Sequence, residues 1–538
     1  MEERLIAGLK WLFLPEQATE RRPGHLWARW IVMRGLGLIY FSAFYSLLFQ
    51  IKGLLGPNGI LPAGDYLQAV AAAIHPWQVL FAPSLLWLGS SNHALMALMW
   101  VGLVASVAVT LNLWPRAGLV VCFICFLSFV SVAQDFSGYQ SDGMLLEMGF
   151  IALFFVPGGL RPRLGRAHAA SRFSRFLLQW EWFRIYFESG VAKLGSGDPA
   201  WRNYTAMDNY YQNCPLPTWI GWYVQHLPHW FHASSVFYTF ACELVIVWMM
   251  FLPRRFRIVC FCLVTPFQIS IILTANYTFL NYLVLLLGFL LLDDRFIEWI
   301  VPAKMRAAVD SKPRESAAPA AKTGQIEEVM RALEILKPIS AAFVLIILFY
   351  ASSVQLAWML APQTRLWLPN GPVRVLEPFR IADTYGLFAV MTPARYEIEF
   401  QGSQDGKTWI AYPFRYKPQD PSKAPAIYAP YQPRFEWNLW FASLGSWREY
   451  HFVIWTQERL IKNDPDVLAL FASNPFANAP PKQVRAVIYQ YWFTDMKTKR
   501  ETGMWWRREL LGAYAPGLER EPDGKIDVLD LPIAQQAE

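Results

Sequence analysis

The stretch RRFRIVCFCLVTPFQISIILTANYTFLNYLVLLLGFLLLDD, residues 254–294, decides the fold. Arg254, Arg255 and Arg257 open it, Asp293 and Asp294 close it, and two apolar runs meet between them at Ala275-Asn276. A helix needs about 20 mostly apolar residues to cross roughly 30 Å of hydrocarbon. The runs 257–275 and 277–292 are close to that length. In lipid, backbone polar groups must be satisfied within the chain, which a helix achieves. The segment therefore reads as a membrane hairpin with its basic end in the cytosol.

Working outward, the same texture recurs. Apolar residues make up 54% of the 538 and charged residues 17%, against about 25% charged in soluble proteins. Aromatics reach 16%, which suits rings anchoring at lipid headgroups. Further spans are expected near 30–51, 93–113, 117–133, 144–160, 176–193, 233–252 and 338–360, giving about nine. Segment 66–88 is interrupted by His75, Pro76 and Pro83. It reads as re-entrant or surface-lying and is not counted. With the N-terminus cytosolic, nine crossings bring the Arg161–Arg172 loop, the Arg254–Arg257 turn and 303–337 to the cytosolic side. The loops on the other side hold few positive charges, as the positive-inside rule requires. No cleavable signal peptide is expected, because Lys10 and Pro15 break the first apolar run.

The formal charge of +7 is spread over short loops. Nucleic-acid binding would need a basic stripe on a soluble fold, so no nucleic-acid partner is expected. Cys122 and Cys125 lie in an apolar run and read as small hydrophobes. No disulfide framework, metal or cofactor is implied. The expected organisation is a cytosolic segment 1–28, a helical bundle 29–293 and a basic cytosolic linker 294–337. A last span 338–360, a non-cytosolic β-sandwich-like domain 361–515 and a polar tail 516–538 follow. Within the linker, 309–323 reads as a disordered connector and 325–336 as an amphipathic helix. Strands are expected at 396–401 and 408–416, around the turn Ser403-Gln-Asp-Gly406, and a helical piece near 464–473.

Ionisable groups inside spans are costly and mark packing or function. Glu181, Arg184 and Glu188 fall on one helical stripe, with Lys193 above them. Asp142 is expected to cap the fourth span, with Glu147 deeper. Glu243 stands alone in the sixth and is expected to pair with Arg184 or Lys193. The loop holding Asp198, Trp201, Arg202 and Asp208 is expected to fold onto the bundle.

These residues carry a resemblance. Residues 183–202 (FRIYFESGVAKLGSGDPAWR), Cys214-Pro-Leu-Pro217, Ser141-Asp-Gly-Met-Leu-Leu-Glu147 and Thr274-Ala-Asn-Tyr-Thr-Phe-Leu-Asn281 resemble the lipase maturation factor family. So do Asp383-Thr-Tyr-Gly-Leu-Phe388, Arg395-Tyr-Glu397, Ala429-Pro-Tyr-Gln-Pro-Arg434 and Trp437…Trp440-Phe441. The resemblance implies a multi-pass membrane protein that matures secreted lipases or related exported clients. Its membrane would be the endoplasmic reticulum, or the inner membrane of a bacterium. It also implies a client-binding C-terminal domain, making Tyr385, Phe388, Tyr431, Trp437 and Trp440 candidate contacts, with a β-sandwich core as their alternative role. A partial similarity of 190–204 to vitamin K-dependent carboxylases would make Lys193 a base in a membrane enzyme. Glu188 and Asp198 are expected partners that would hold its charge. A transporter is a third reading, without the internal repeat such folds show.

Overall fold

The computed structural model describes residues 24–166, 170–310, 324–362 and 368–532. The expected N-terminal segment up to residue 23, the connector at 311–323 and the last six residues of the tail lie outside the described residues.

The bundle contains α1 (Leu26–Leu48), α2 (Asn92–Thr110), α3 (Pro115–Val130), α4 (Gln140–Phe155) and α5 (Arg172–Gly195). It continues with α6 (His229–Phe240), α7 (Arg254–Thr274), α8 (Leu280–Gly288) and α9 (Gly324–Leu360). Beyond Phe240, α6 runs on through a π turn, Ala241–Val245, and a 3-10 turn, Ile246–Phe251. Five stretches are long and apolar enough to cross a membrane: Leu26–Leu48, Asn92–Thr110, His229–Phe251, Arg254–Thr274 and Ile339–Leu360. Pro115–Val130 and Leu280–Leu291 are apolar but shorter. Local chemistry sets several starts. Ser91 and Ser171 cap α2 and α5 by accepting backbone N–H bonds, and Pro115 opens α3 where no N–H is needed.

The helix ends gather at two places. At one, the Asp294 N–H donates to Gly24 O (2.9 Å), Arg116 to Val156 O (2.8 Å), Arg29 to Leu164 O (3.0 Å) and Arg254 to Asp293 (3.2 Å). At the other, the ends of α1, α3, α5 and α7 and the starts of α2, α4 and α8 meet the C-terminal domain. Around the flank, Leu38, Val104, Phe237, Leu263 and Phe343 present exposed apolar side chains.

Segment 66–88 breaks into pieces: helix Ala63–Ile74, a turn Gln78–Phe81 and a 3-10 turn Leu85–Leu88. It forms no continuous helix. Ser84 Oγ donates to Ser128 O (2.8 Å), which fastens it beside the domain-facing end of α3.

After α9 come α10 (Arg434–Ser443), α11 (Phe452–Ile461) and six strands: β1 (Arg395–Ser403), β2 (Ile410–Ala411), β3 (Gln483–Phe493), β4 (Trp506–Ala513), β5 (Gly517–Arg520) and β6 (Ile526–Asp530). They form one antiparallel sheet ordered β2-β1-β3-β5-β6, with β4 also on β3. The sandwich expectation is corrected, since the described strands make a single sheet. One face packs on helices, with the Phe400 and Phe435 rings stacked at 6.3 Å. The other is charged. Glu397 pairs with Lys417 (2.8 Å) and Glu399 with Arg508 (3.0 Å), so a proline-rich loop covers it instead of a second apolar sheet. The strand expected at 408–416 shrinks to Ile410–Ala411, and the helical piece to Pro465–Leu468. The polar tail is corrected too. Asp523-Gly524, with Gly524 at φ +87°, turns β5 into β6, as an Asp-Gly hairpin should.

Candidate functional site: a strap between bundle and domain

The segment Asp383–Met391 lies across the bundle end, and its backbone is claimed by bundle side chains. Glu147 Oε2 on α4 accepts from the Asp383 N–H (3.1 Å) and the Tyr385 hydroxyl (2.7 Å). Glu188 on α5 accepts from the Tyr385 N–H (2.6 Å), Gln140 from Gly386 (3.1 Å) and Ser189 from Leu387 (3.2 Å). In the other direction, Arg184 donates to Asp383 O (2.6 Å), Lys193 to Leu387 O (2.8 Å) and Trp201 Nε1 to Phe388 O (3.0 Å). Asp198 closes the strap by accepting from the Met391 N–H at 2.6 Å. Backbone groups drawn out of water need partners, and here charged and neutral polar side chains supply them.

Ion pairs tie the same side chains together. Arg184 bridges Glu147 and, at 3.8 Å, Glu188. Glu181, on the same stripe, does not join them; neither of its carboxylate oxygens has a hydrogen-bond partner among the described residues. Lys193 pairs with Glu243 at 2.9 Å, so Lys193 and not Arg184 is that residue's partner. The expected partners Glu188 and Asp198 bond the strap instead, because the π turn carries Glu243 to the ammonium. With Glu243, Leu387 O and Ser189 O around it, the Lys193 ammonium holds the strap to the bundle.

Two further contacts anchor the domain. Asp142 is corrected: Tyr139 occupies the cap position of α4. Asp142 instead accepts from both terminal nitrogens of the Arg434 guanidinium, at 2.7 and 2.9 Å, with both side chains fully buried. Asn276, in the short α7–α8 link, accepts from the N–H groups of Tyr428 (2.7 Å) and Ala429 (3.0 Å) and donates to Ala426 O (2.9 Å). Arg395 reaches from β1 to Gln212 O and Pro215 O, both at 3.0 Å, fixing the 210–217 loop.

The aromatic candidates divide. Tyr385 and Trp437 are buried, so the expectation of a client-facing surface is corrected for them: their rings fill the junction. Phe388, Tyr431 and Trp440 are half-buried. Phe388 packs on Tyr277 (4.8 Å), Tyr431 on Tyr416 (5.3 Å), and the Trp440 indole donates to Asn213 O (3.0 Å). In the 198–208 loop, Trp201 is buried and Arg202 exposed, while Asp208 meets exposed His229 at 3.0 Å. The sequence reading gave no role to Asp383, Ser189, Gln140 or Asn276. Their signal was their place in the resembling motifs, or beside them in the case of Gln140.

Fold and site together define a class: a helical bundle with membrane-crossing helices, into one end of which a β-rich domain is bonded through buried charges. A model of the lipase maturation factor transmembrane domain matches residues 27–299, and one of the lipase maturation factor C-terminal domain matches 381–516. The chain belongs to the lipase maturation factor family. It is 30% identical to lipase maturation factor 1 of Homo sapiens over 539 residues, covering 94% of this chain and 91% of that protein. The Bos taurus counterpart is also 30% identical, over 527 residues, covering 93% and 90%. Lipase maturation factor 2 of Gallus gallus is 31% identical over 588 residues, covering 92% and 81%. No solved structure matches the chain.

Proposed function

We propose that the chain is a membrane-anchored maturation factor that helps exported lipases fold and assemble. The observation that carries this is similarity to lipase maturation factors over more than nine-tenths of the chain, bundle and domain alike. In the proposed arrangement α1–α9 cross the bilayer nine times, with the N-terminus cytosolic and the C-terminal domain on the far side. The alternation of helix ends between the basic end and the domain end supports that reading. The membrane is that of the endoplasmic reticulum, by the family, or an inner membrane in a bacterial host.

The ion pairs of Asp142, Glu147, Arg184, Glu188, Lys193 and Glu243 serve to hold the domain at a fixed pose on the bundle. Client contact then falls to the domain's outer surface. Tyr431 and Trp440 lie near the junction. Leu510 on β4 and Val528 on the edge strand β6 are exposed apolar side chains of the outer sheet. Edge strands offer unpaired backbone groups to a partner chain.

The test is co-expression of the full chain with a secreted lipase in cells lacking their own maturation factor. Active lipase dimer in the medium is expected to rise, and Val528→Lys with Leu510→Lys to reduce the rise. No gain with the intact chain overturns the proposal.

A further inference from the structure

An open cavity of about 530 Å³ lies where the end of α1 meets the C-terminal domain. This is within the roughly 300–1,000 Å³ of small-molecule sites. Four rings line it in series, with centroids 5.1 Å apart from Phe49 to Tyr45, 6.4 Å from Tyr45 to Tyr431 and 5.3 Å from Tyr431 to Tyr416. Two charged residues share the lining, Glu436 and Arg415. Glu436 is buried, and its carboxylate accepts three backbone N–H groups. The neighbouring Lys417 ammonium is turned away to Glu397, at 2.8 Å. Arg415 is exposed, and its guanidinium makes one hydrogen bond among the described residues, to Ala469 O at 3.3 Å. Ala469 also lines the cavity, which sets the guanidinium at its rim.

A complementary ligand carries a cation at one end and an anion at the other. Aromatic rings attract cations, and clusters of them hold quaternary ammonium groups. Burial pushes the Glu436 carboxyl up to about 7, and a cation beside it favours its charged form. A guanidinium with free donors suits a phosphate. The cavity also opens onto lipid. Leu38 and Tyr45 of α1 and Phe49 just past its end fall within about 40° of one another around the helix, and they are 57%, 43% and 59% exposed. Leu38 lies midway along a helix long enough to cross a membrane. This stripe therefore runs from the hydrocarbon to the rings, and the cavity stands at head-group level.

We propose that this cavity binds the zwitterionic head group of a phospholipid, with its ammonium among the four rings and Glu436, its phosphate at Arg415, and its acyl chains along the Leu38–Phe49 stripe. The proposal goes beyond the maturation role and does not depend on it.

The test uses the full chain in dioleoylphosphatidylglycerol nanodiscs doped with a diazirine-bearing phosphatidylcholine, and mass spectrometry of labelled peptides. Labelling is expected on peptides covering 38–50 and 413–436. Unlabelled dioleoylphosphatidylcholine in the discs should compete about tenfold or more better than dioleoylphosphatidic acid, which has the same chains and phosphate and no ammonium. Phe49→Ala and Arg415→Ala alter exposed side chains, and each should reduce labelling about threefold or more. If Phe49→Ala does not elute as a monodisperse species, Tyr45→Ala replaces it. Labelling confined to other segments, equal competition by phosphatidic acid, or undiminished labelling in the folded variants overturns the proposal. Soluble phosphocholine competing as well as the lipid overturns it too, since the stripe would then contribute nothing.

Discussion

Arg434 and Asp142 face each other through two hydrogen bonds, and neither side chain reaches solvent. Removing one partner of such a pair leaves an uncompensated buried charge, which costs about 3–5 kcal/mol, whereas replacing both by apolar groups is often neutral. Arg434→Met is therefore expected to lower the unfolding midpoint in detergent sharply, and Arg434→Met with Asp142→Leu to recover most of the loss. An equal loss in single and double variants would assign the loss to the missing bonds themselves and not to an orphaned Asp142 charge. A second residue reads out in pH. Glu436 on α10 accepts the N–H groups of Arg415 (2.9 Å), Tyr416 (2.8 Å) and Lys417 (2.6 Å). Burial nonetheless pushes its carboxyl up to about 7. The folded chain then binds this proton more tightly than the unfolded chain, so this group's contribution to stability falls as pH rises from about 4.5 to about 7. Urea midpoints taken across that window should decline in the native chain, and Glu436→Gln should flatten the decline. The ionisable residues of the site were legible as residue types that lipid does not tolerate. Glu243 was expected to pair with Arg184 or Lys193, and Lys193 is its partner; the Asp142–Arg434 pairing was not legible, because the two stand 292 positions apart and no local period links them.

The strap shows why elements were harder to read than spans. The nine expected stretches each overlap a helix, of which five are long and apolar enough to cross a membrane. Asp383–Met391 has no period at all, because its backbone bonds run to side chains of α4, α5 and the 198–201 loop and not to a neighbouring strand. Close approach is built in from the other side. A Cβ on Gly143 would stand 1.8 Å from Asp383 Oδ2, so any larger residue there would displace the Asp383 carboxylate. Gly143→Ala is expected to lift Asp383 and expose the strap to protease, and unchanged cleavage near 383–391 would refute the contact. Ser189→Ala removes the acceptor of the Leu387 N–H. Hydrogen exchange should then speed up at Leu387 while Met391, held by Asp198, stays protected. Equal acceleration at both would mean the strap opens as one unit. The sandwich expectation failed for a related reason. Alternation in 396–401 was legible, but Glu397 and Glu399 point to a charged layer with Lys417 and Arg508. Sequence alternation alone cannot tell such a layer from a solvent face.

At the scale of the whole molecule, the bundle and the domain are not separable parts. Removing everything after Leu360 would strip Asp383, Tyr385 and Leu387 from Glu147, Arg184, Glu188 and Lys193, and Arg434 from Asp142. These charges sit at the bundle end, and exposing them there forfeits many of their hydrogen bonds together. A truncated bundle is therefore expected to aggregate on detergent extraction, so loss of lipase maturation in it would say nothing about client binding. The informative comparison keeps the junction and alters only the outer sheet. Two measurements separate the roles: elution of the truncated chain, and lipase output of the full chain carrying Val528→Lys. A monodisperse truncated bundle would mean that the buried pairs contribute little to its folding. Aggregation of that bundle, with normal extraction and reduced lipase output from the Val528→Lys chain, would place recognition on the sheet and architecture in the charges beneath the strap.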